Sequence, residues 1–138
     1  MPKKLPKKRY FVFISHSSKD TFIAKQLDKL IREKCRKYNV KTFLDERDIK
    51  GGDQISDTIK SNIEACDEFL VSISRYSVDS SWVLLEIGAA WMGNKRIVPI
   101  VDKVTPEEMP HIIVQHKAID LNEFEKYLDE IVERAKKV

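Results

Sequence analysis

The chain is poor in the residues that would fix its chemistry at once. It has two cysteines, Cys35 and Cys66, both within helical patterns and without the short paired spacing of a zinc site. A disulfide framework is therefore not expected, and a reduced cytoplasmic protein is the economical reading. The three histidines, His16, His111 and His116, are scattered with no metal-ligand spacing, so no metal is expected. No apolar run reaches the ~18 to 20 residues of a membrane helix, and the start has no apolar signal core. There is no G-x-G-x-x-G, no phosphate-binding P-loop and no internal repeat.

What remains is a 138-residue chain, 42% hydrophobic and 34% charged, of about one ordinary domain. Residues 1–9 form a basic arm, "MPKKLPKKR", with two prolines. Its five lysines and arginines leave 20 basic against 22 acidic residues elsewhere, so the +3 net charge belongs to the arm. A solvated tail explains it better than a nucleic-acid or membrane contact. From residue 10 to 138 the elements alternate. "RYFVFIS", "VKTFLD", "EFLVSIS", "RIVPIV" and "KAIDL" read as strands. Between them Ile23, Leu27, Leu30 and Ile31, reaching about Tyr38, then Ile55, Ile59 and Ile63, then Ser80 to Gly93, recur at helical spacing. "DKVTPEEMPHIIVQH" reads as a loop with room for one turn. A last helix carries Leu121, Phe124, Leu128, Ile131 and Ala135. Such alternation predicts an α/β fold, a flavodoxin-like three-layer sandwich with a five-stranded parallel sheet in the order 2-1-3-4-5. Ligands in these sheets bind at the carboxyl ends of the strands, beside the reversal between strands one and three. Here "SHSSKD" and "SRYSVDSSW" occupy those ends.

One residue stands out. "SSWVLLEIGAAWMG", Ser80 to Gly93, has a single ionisable side chain, Glu86, and carboxylates are seldom set in such surroundings without a partner or a task. Trp82 lies four residues earlier, on the same helix face. Val83, Ile87 and Trp91 form the neighbouring stripe and are assigned to the core. Gly88, Ala89 and Ala90 are expected to let the helix approach the sheet closely. A phospho-accepting receiver needs an Asp ending strand three and acids after strand one, and neither is present. "SHSSKD" matches a flavin phosphate loop only weakly, having hydroxyls but no glycine. Ser15, His16 and Ser17 lack an orienting acid and do not form a catalytic arrangement.

Taken together, "YFVFISHSSKD", "FLDERDIKGGDQI", "FLVSISRYSVDSSWVLLEI" and "RIVPIV" resemble a Toll/interleukin-1 receptor (TIR) domain of the bacterial type, over nearly the whole chain. The third piece carries the family's Ser-Trp-Val-x-x-Glu type segment as Ser81, Trp82, Val83 and Glu86, with Val83 where Cys is commoner. The resemblance implies an enzyme that cleaves NAD+ between nicotinamide and ribose, giving ADP-ribose or a cyclic product, with Glu86 catalytic and Trp82 lining the pocket. NAD+ is then substrate, and no cofactor is implied. By resemblance and position Phe13, Ser15, the "SSKD" loop (Ser17 to Asp20) with Lys19, Asp45 and Arg47 are candidate binding residues. Packing, capping, strand termination and surface solvation are their ordinary alternatives. The resemblance further implies self-association through the loop from Glu46 to Gln54, an activity rising more steeply than concentration, a partner effector or sensor, and a role in antiphage defence. A non-catalytic TIR–TIR scaffold and a nucleotide sensor without turnover are the competing readings. Glu86 favours the enzyme, because a scaffold has no need of an acid in that helix.

Overall fold

The computed structural model describes residues 9–44 and 57–138. Five strands, β1 (Tyr10–Ser15), β2 (Val40–Leu44), β3 (Glu68–Ile73), β4 (Arg96–Val101) and β5 (Ile119–Asp120), form one sheet in the order β2-β1-β3-β4-β5. All pairings are parallel. The sheet and its order are those expected. All six residues of both β1 and β3 are buried, as befits strands covered on both faces.

Side chains alternate across a strand, and this parity sorts the core into two halves. Tyr10, Val12, Ile14, Leu70, Val98 and Ile100 face helices α1 (Thr21–Lys34) and α4 (Phe124–Lys136). Phe11, Phe13, Phe69, Val71, Ile73 and Ile97 face α2 (Asp57–Ala65) and α3 (Ser81–Met92). Among the described residues no helix is long and apolar enough to cross a membrane. Both cysteines are buried free thiols.

Several boundaries differ from the sequence expectation. Helix α1 stops at Lys34 because a turn over Cys35–Tyr38 and a left-handed Asn39 (φ 55°) lead directly into β2. The loop after β4 contains two 3-10 turns rather than one. Thr105 and Glu108 form a capping box around Pro106–Glu108, and Pro110 precedes His111–Ile113. Leu121 lies in a separate turn capped by Asp120, ahead of α4. Trp91 is not a core residue. It is 52% exposed, and Ala90 fills the inner position. Eight residues carry a helix about 80° past two full turns, so Trp91 rotates away from Val83. Gly88 does not mediate close approach either, since a Cβ there would meet nothing within 4 Å.

The amino ends of the strands hold a buried charge. By parity Glu68 faces α4, where it is 0% exposed. It accepts from the Tyr10 hydroxyl and the Arg134 Nε, both at 2.7 Å. The Arg134 Nη2 also donates to the Tyr127 hydroxyl at 3.2 Å. Burial, followed by the Glu68 charge, pushes the Tyr10 hydroxyl well above its ordinary range. Burial opposes the Arg134 charge, but the hydrogen bond and charge of Glu68 outweigh it and hold the guanidinium protonated. Breaking a buried pair from one side strands the other charge. Arg134→Ala is therefore expected to cost about 3–5 kcal/mol in urea denaturation, and the double variant Glu68→Gln, Arg134→Met to recover most of it.

Burial also pushes the Cys66 thiol up to about 11. The fold favours the neutral thiol, so this stabilisation is complete below the unfolded thiol pKa and is lost as pH rises through the folded one. The urea midpoint should fall between about pH 9 and 11, less steeply in Cys66→Ala. Native thiols should resist a disulfide-exchange reagent at about pH 8 and react fully on unfolding; rapid native labelling would contradict the burial.

Candidate active site

The loops after β1 and β3 meet beside the reversal in strand order. Parity sets the first contact. Ser15 follows Phe11 and Phe13 on the α2/α3 side of the sheet, at the last position of β1. Helix α3 begins where Ser80 accepts from the Val83 backbone N–H at 3.3 Å. That cap places Glu86 just over one turn into the helix, on its inner side. Glu86 is 1% exposed, and Ser15 Oγ donates to its Oε1 at 2.7 Å. Hydrogen bonds to a carboxylate are about twice as strong as neutral ones, so this contact fixes the acid against the tip of β1. Trp82 is half-buried and packs against the same core cluster as Val83 and Ile87.

A second carboxylate clips the two loops together. Asp20, 4% exposed, accepts from Ser17 Oγ at 2.9 Å and from Ser74 Oγ at 2.5 Å. The Ser74 hydroxyl also accepts from the backbone N–H groups of Tyr76 and Ser77, at 3.1 and 3.3 Å. The Ser74 N–H donates to Ser77 Oγ at 2.7 Å. The chain leading into α3 is thus held by side chains rather than by sheet pairing. His16 is buried, with Nδ1 2.8 Å from the Ser17 carbonyl. Donation to that carbonyl puts the imidazole proton on Nδ1.

The sequence candidates separate clearly. Ser15 and Glu86 are joined directly. Phe13 lies wholly in the core, its ring stacked on Phe43 and Phe69 with centroids at 5.2 and 5.3 Å. It supports Ser15 from below and presents no surface to a ligand. Lys19 is exposed, with Nζ 5.3 Å from the ring centroid of Tyr76, and so stands at the rim where the two loops meet. Asp45, Arg47 and the loop 46–54 lie outside the described residues. Asp20 falls in the "SSKD" loop expected to take part in binding, here as a clip between loops, while Ser74 and Ser77 were not singled out from the sequence. The one available signal was the three-residue interval from Ser17 to Asp20, which suits side-chain pairing across a tight turn. Among the described residues no group of three histidine, cysteine or acidic side chains is placed to hold a metal.

The family model of the TIR domain matches residues 12–132. The chain belongs to the TIR domain family. This TIR domain is 28% identical over 101 residues to a probable 2′ cyclic ADP-D-ribose synthase of Brachypodium distachyon. It is 30% identical over 111 residues to a 2′ cyclic ADP-D-ribose synthase of Bacteroides thetaiotaomicron. The alignments take in 73% and 75% of this chain but only 44% and 37% of those proteins, so the chain spans less than half the length of either. In fold it is similar to the TIR domain of a Toll-related receptor from Hydra magnipapillata. There the TM-score is 0.65 at 17% identity, covering 92% of this chain and 98% of that one.

Ser74 is the hub of the second loop, and its loss should register locally. Ser74→Ala is expected to destabilise the domain by about 1–3 kcal/mol in urea. Hydrogen exchange at the Tyr76 and Ser77 amides should accelerate more than at β1 amides. A uniform change across the sheet would mean that the network does not hold this loop.

Proposed function

We propose that this TIR domain cleaves NAD+ at the bond between nicotinamide and ribose, with Glu86 as the catalytic carboxylate. The observation that carries the reading is the placement of Glu86. It is a carboxylate buried at the strand tips beside the sheet's reversal, held by Ser15 at 2.7 Å. The two relatives, one a 2′ cyclic ADP-D-ribose synthase and the other a probable one, support the substrate class.

The chemistry asks little of the protein in proton transfer. Nicotinamide departs as a neutral molecule from a cationic ring, so no general acid is needed. Ordinary glycoside hydrolysis typically uses two carboxylates because its leaving oxygen must be protonated. In this reading Glu86 stabilises the positive charge that develops on the ribose as the bond breaks, and holds ribose hydroxyls. Its buried setting strengthens that interaction, because the effective dielectric is low. Ser15 positions the carboxylate, Trp82 lines the pocket, and Lys19, Asp45 and Arg47 take the remainder of the dinucleotide. The product is ADP-ribose where water reaches the ribose cation, and a cyclic ADP-ribose where a nucleophile of the substrate itself arrives first. Cytoplasmic action in antiphage defence or signalling, with TIR–TIR self-association and a partner effector or sensor, belongs to the same proposal.

Glu86→Gln keeps the size and the Ser15 contact while removing the charge. Nicotinamide release from NAD+ is expected to fall about a hundredfold to a thousandfold, with the thermal midpoint retained. A folded variant as active as the parent would exclude the assignment. Chromatography with mass spectrometry of the parent's products would then separate hydrolysis from cyclisation.

A further inference from the structure

The loop between β3 and α3 holds an aromatic side chain that the proposed reaction does not use. Tyr76 is 47% exposed, although its backbone is fixed, its N–H donating to Ser74 Oγ at 3.1 Å. A ring left half in water on an anchored backbone adds little to the core. Its neighbours set its direction. Arg75 sits toward the turn after β4. There the Glu108 carboxyl is held low first by the Thr105 N–H and hydroxyl, and then by the Arg75 charge. Tyr76 turns the other way, to the loop after β1, where Lys19 Nζ stands 5.3 Å from its ring centroid. The ring thus reaches across the crevice between the tips of β1 and β3. That is where the strand order reverses and where sheets of this type receive ligands. The Asp20 carboxylate, bonded to both Ser17 and Ser74, fixes the distance between the two loops.

The pairing of ring and ammonium also indicates a chemical class. A half-exposed aromatic face is a stacking platform for a flat base. Lys19, attracted to the same ring, sets a positive charge beside that platform, where a nucleotide carries its phosphate. An ammonium alone would take any anion, and a ring alone any flat molecule. Together they ask for both in one ligand. In the proposed reaction Glu86 and Trp82 take the nicotinamide–ribose end, which leaves a second base unplaced. Resting on that reading, we infer that Tyr76, backed by Lys19, is a specificity-determining residue that receives the adenine of the dinucleotide. It makes the site prefer NAD+ to nicotinamide mononucleotide, which has the same scissile bond and no adenine.

The test compares nicotinamide release by the parent and by Tyr76→Ala. With NAD+, KM is expected to rise about tenfold or more while kcat stays within about twofold, as loss of uniform binding requires. With nicotinamide mononucleotide, kcat/KM should change by less than about twofold. Tyr76→Phe should recover the parental KM, because stacking needs the ring and not the hydroxyl. The thermal midpoint should hold in both variants, since the ring is half exposed. A second readout needs no turnover. In titration calorimetry AMP should bind the parent, and bind Tyr76→Ala about tenfold more weakly. Equal losses with both substrates, an unchanged KM for NAD+, a Tyr76→Phe as impaired as Tyr76→Ala, or AMP binding no stronger in the parent than in Tyr76→Ala would overturn the inference. A parent that binds AMP through Tyr76 yet releases no nicotinamide would overturn the cleavage reading instead, and leave Tyr76 in an adenine-nucleotide site.

Discussion

The hydrogen bond from Ser15 to Glu86 joins the two halves of the site, and the architecture around it follows from keeping a carboxylate there. A carboxylate out of water is costly unless something polar answers it. One answer here comes from a strand, through the Ser15 hydroxyl. For this to work, β1 must end with the correct parity and α3 must begin at the correct residue. Phe11 and Phe13 set the parity by packing toward α2 and α3, which brings Ser15 to the same side. Ser80 sets the start of the helix. A shift of one residue in either element would turn Ser15 to the α1/α4 face or rotate Glu86 by about 100°.

The two ends of the sheet treat buried acids differently. At the amino ends Glu68 is met by an arginine and a tyrosine hydroxyl, and all three are tied into packing between the sheet and α4. That arrangement spends its electrostatics on holding α4 to the sheet. At the carboxyl ends Glu86 is met by the Ser15 hydroxyl, and Asp20 by the hydroxyls of Ser17 and Ser74. A hydroxyl orients a carboxylate without neutralising it. The contrast separates a structural cluster at the amino ends from the strand tips, where the candidate site lies.

Much of this was legible in the residues. Strand–helix alternation gave the parallel sheet and its order, because each strand is a compact apolar run bounded by polar loops. Glu86 was legible because an acid is conspicuous among fourteen otherwise uncharged residues. Its partner Ser15 was legible as a position, although the contact itself needs the register between β1 and α3. Trp91 misled because spacing by four drifts about 40° per step, so a stripe begun at Val83 leaves the core by its third member. Gly88 misled because small size permits close approach without showing which side is approached. Phe13 stood at the correct height in the strand, yet flanking by Phe43 and Phe69 makes its ring part of the floor. The contact of Asp20 with Ser74 was hidden because the two lie 54 residues apart and become neighbours only when β1 and β3 pair.

Helix α3 presents three distinct faces on twelve residues, and its composition follows from them. The arc of Val83, Ile87 and Ala90 packs on the sheet. Glu86 and Trp82 turn toward the strand tips. Leu84, Leu85, Trp91 and Met92 face outward around Gly88. Only the inward acid carries charge, so the helix has no polar face to set its rotation in water. Its rotation is fixed instead by the Ser80 cap, by the core arc and by the Ser15–Glu86 contact.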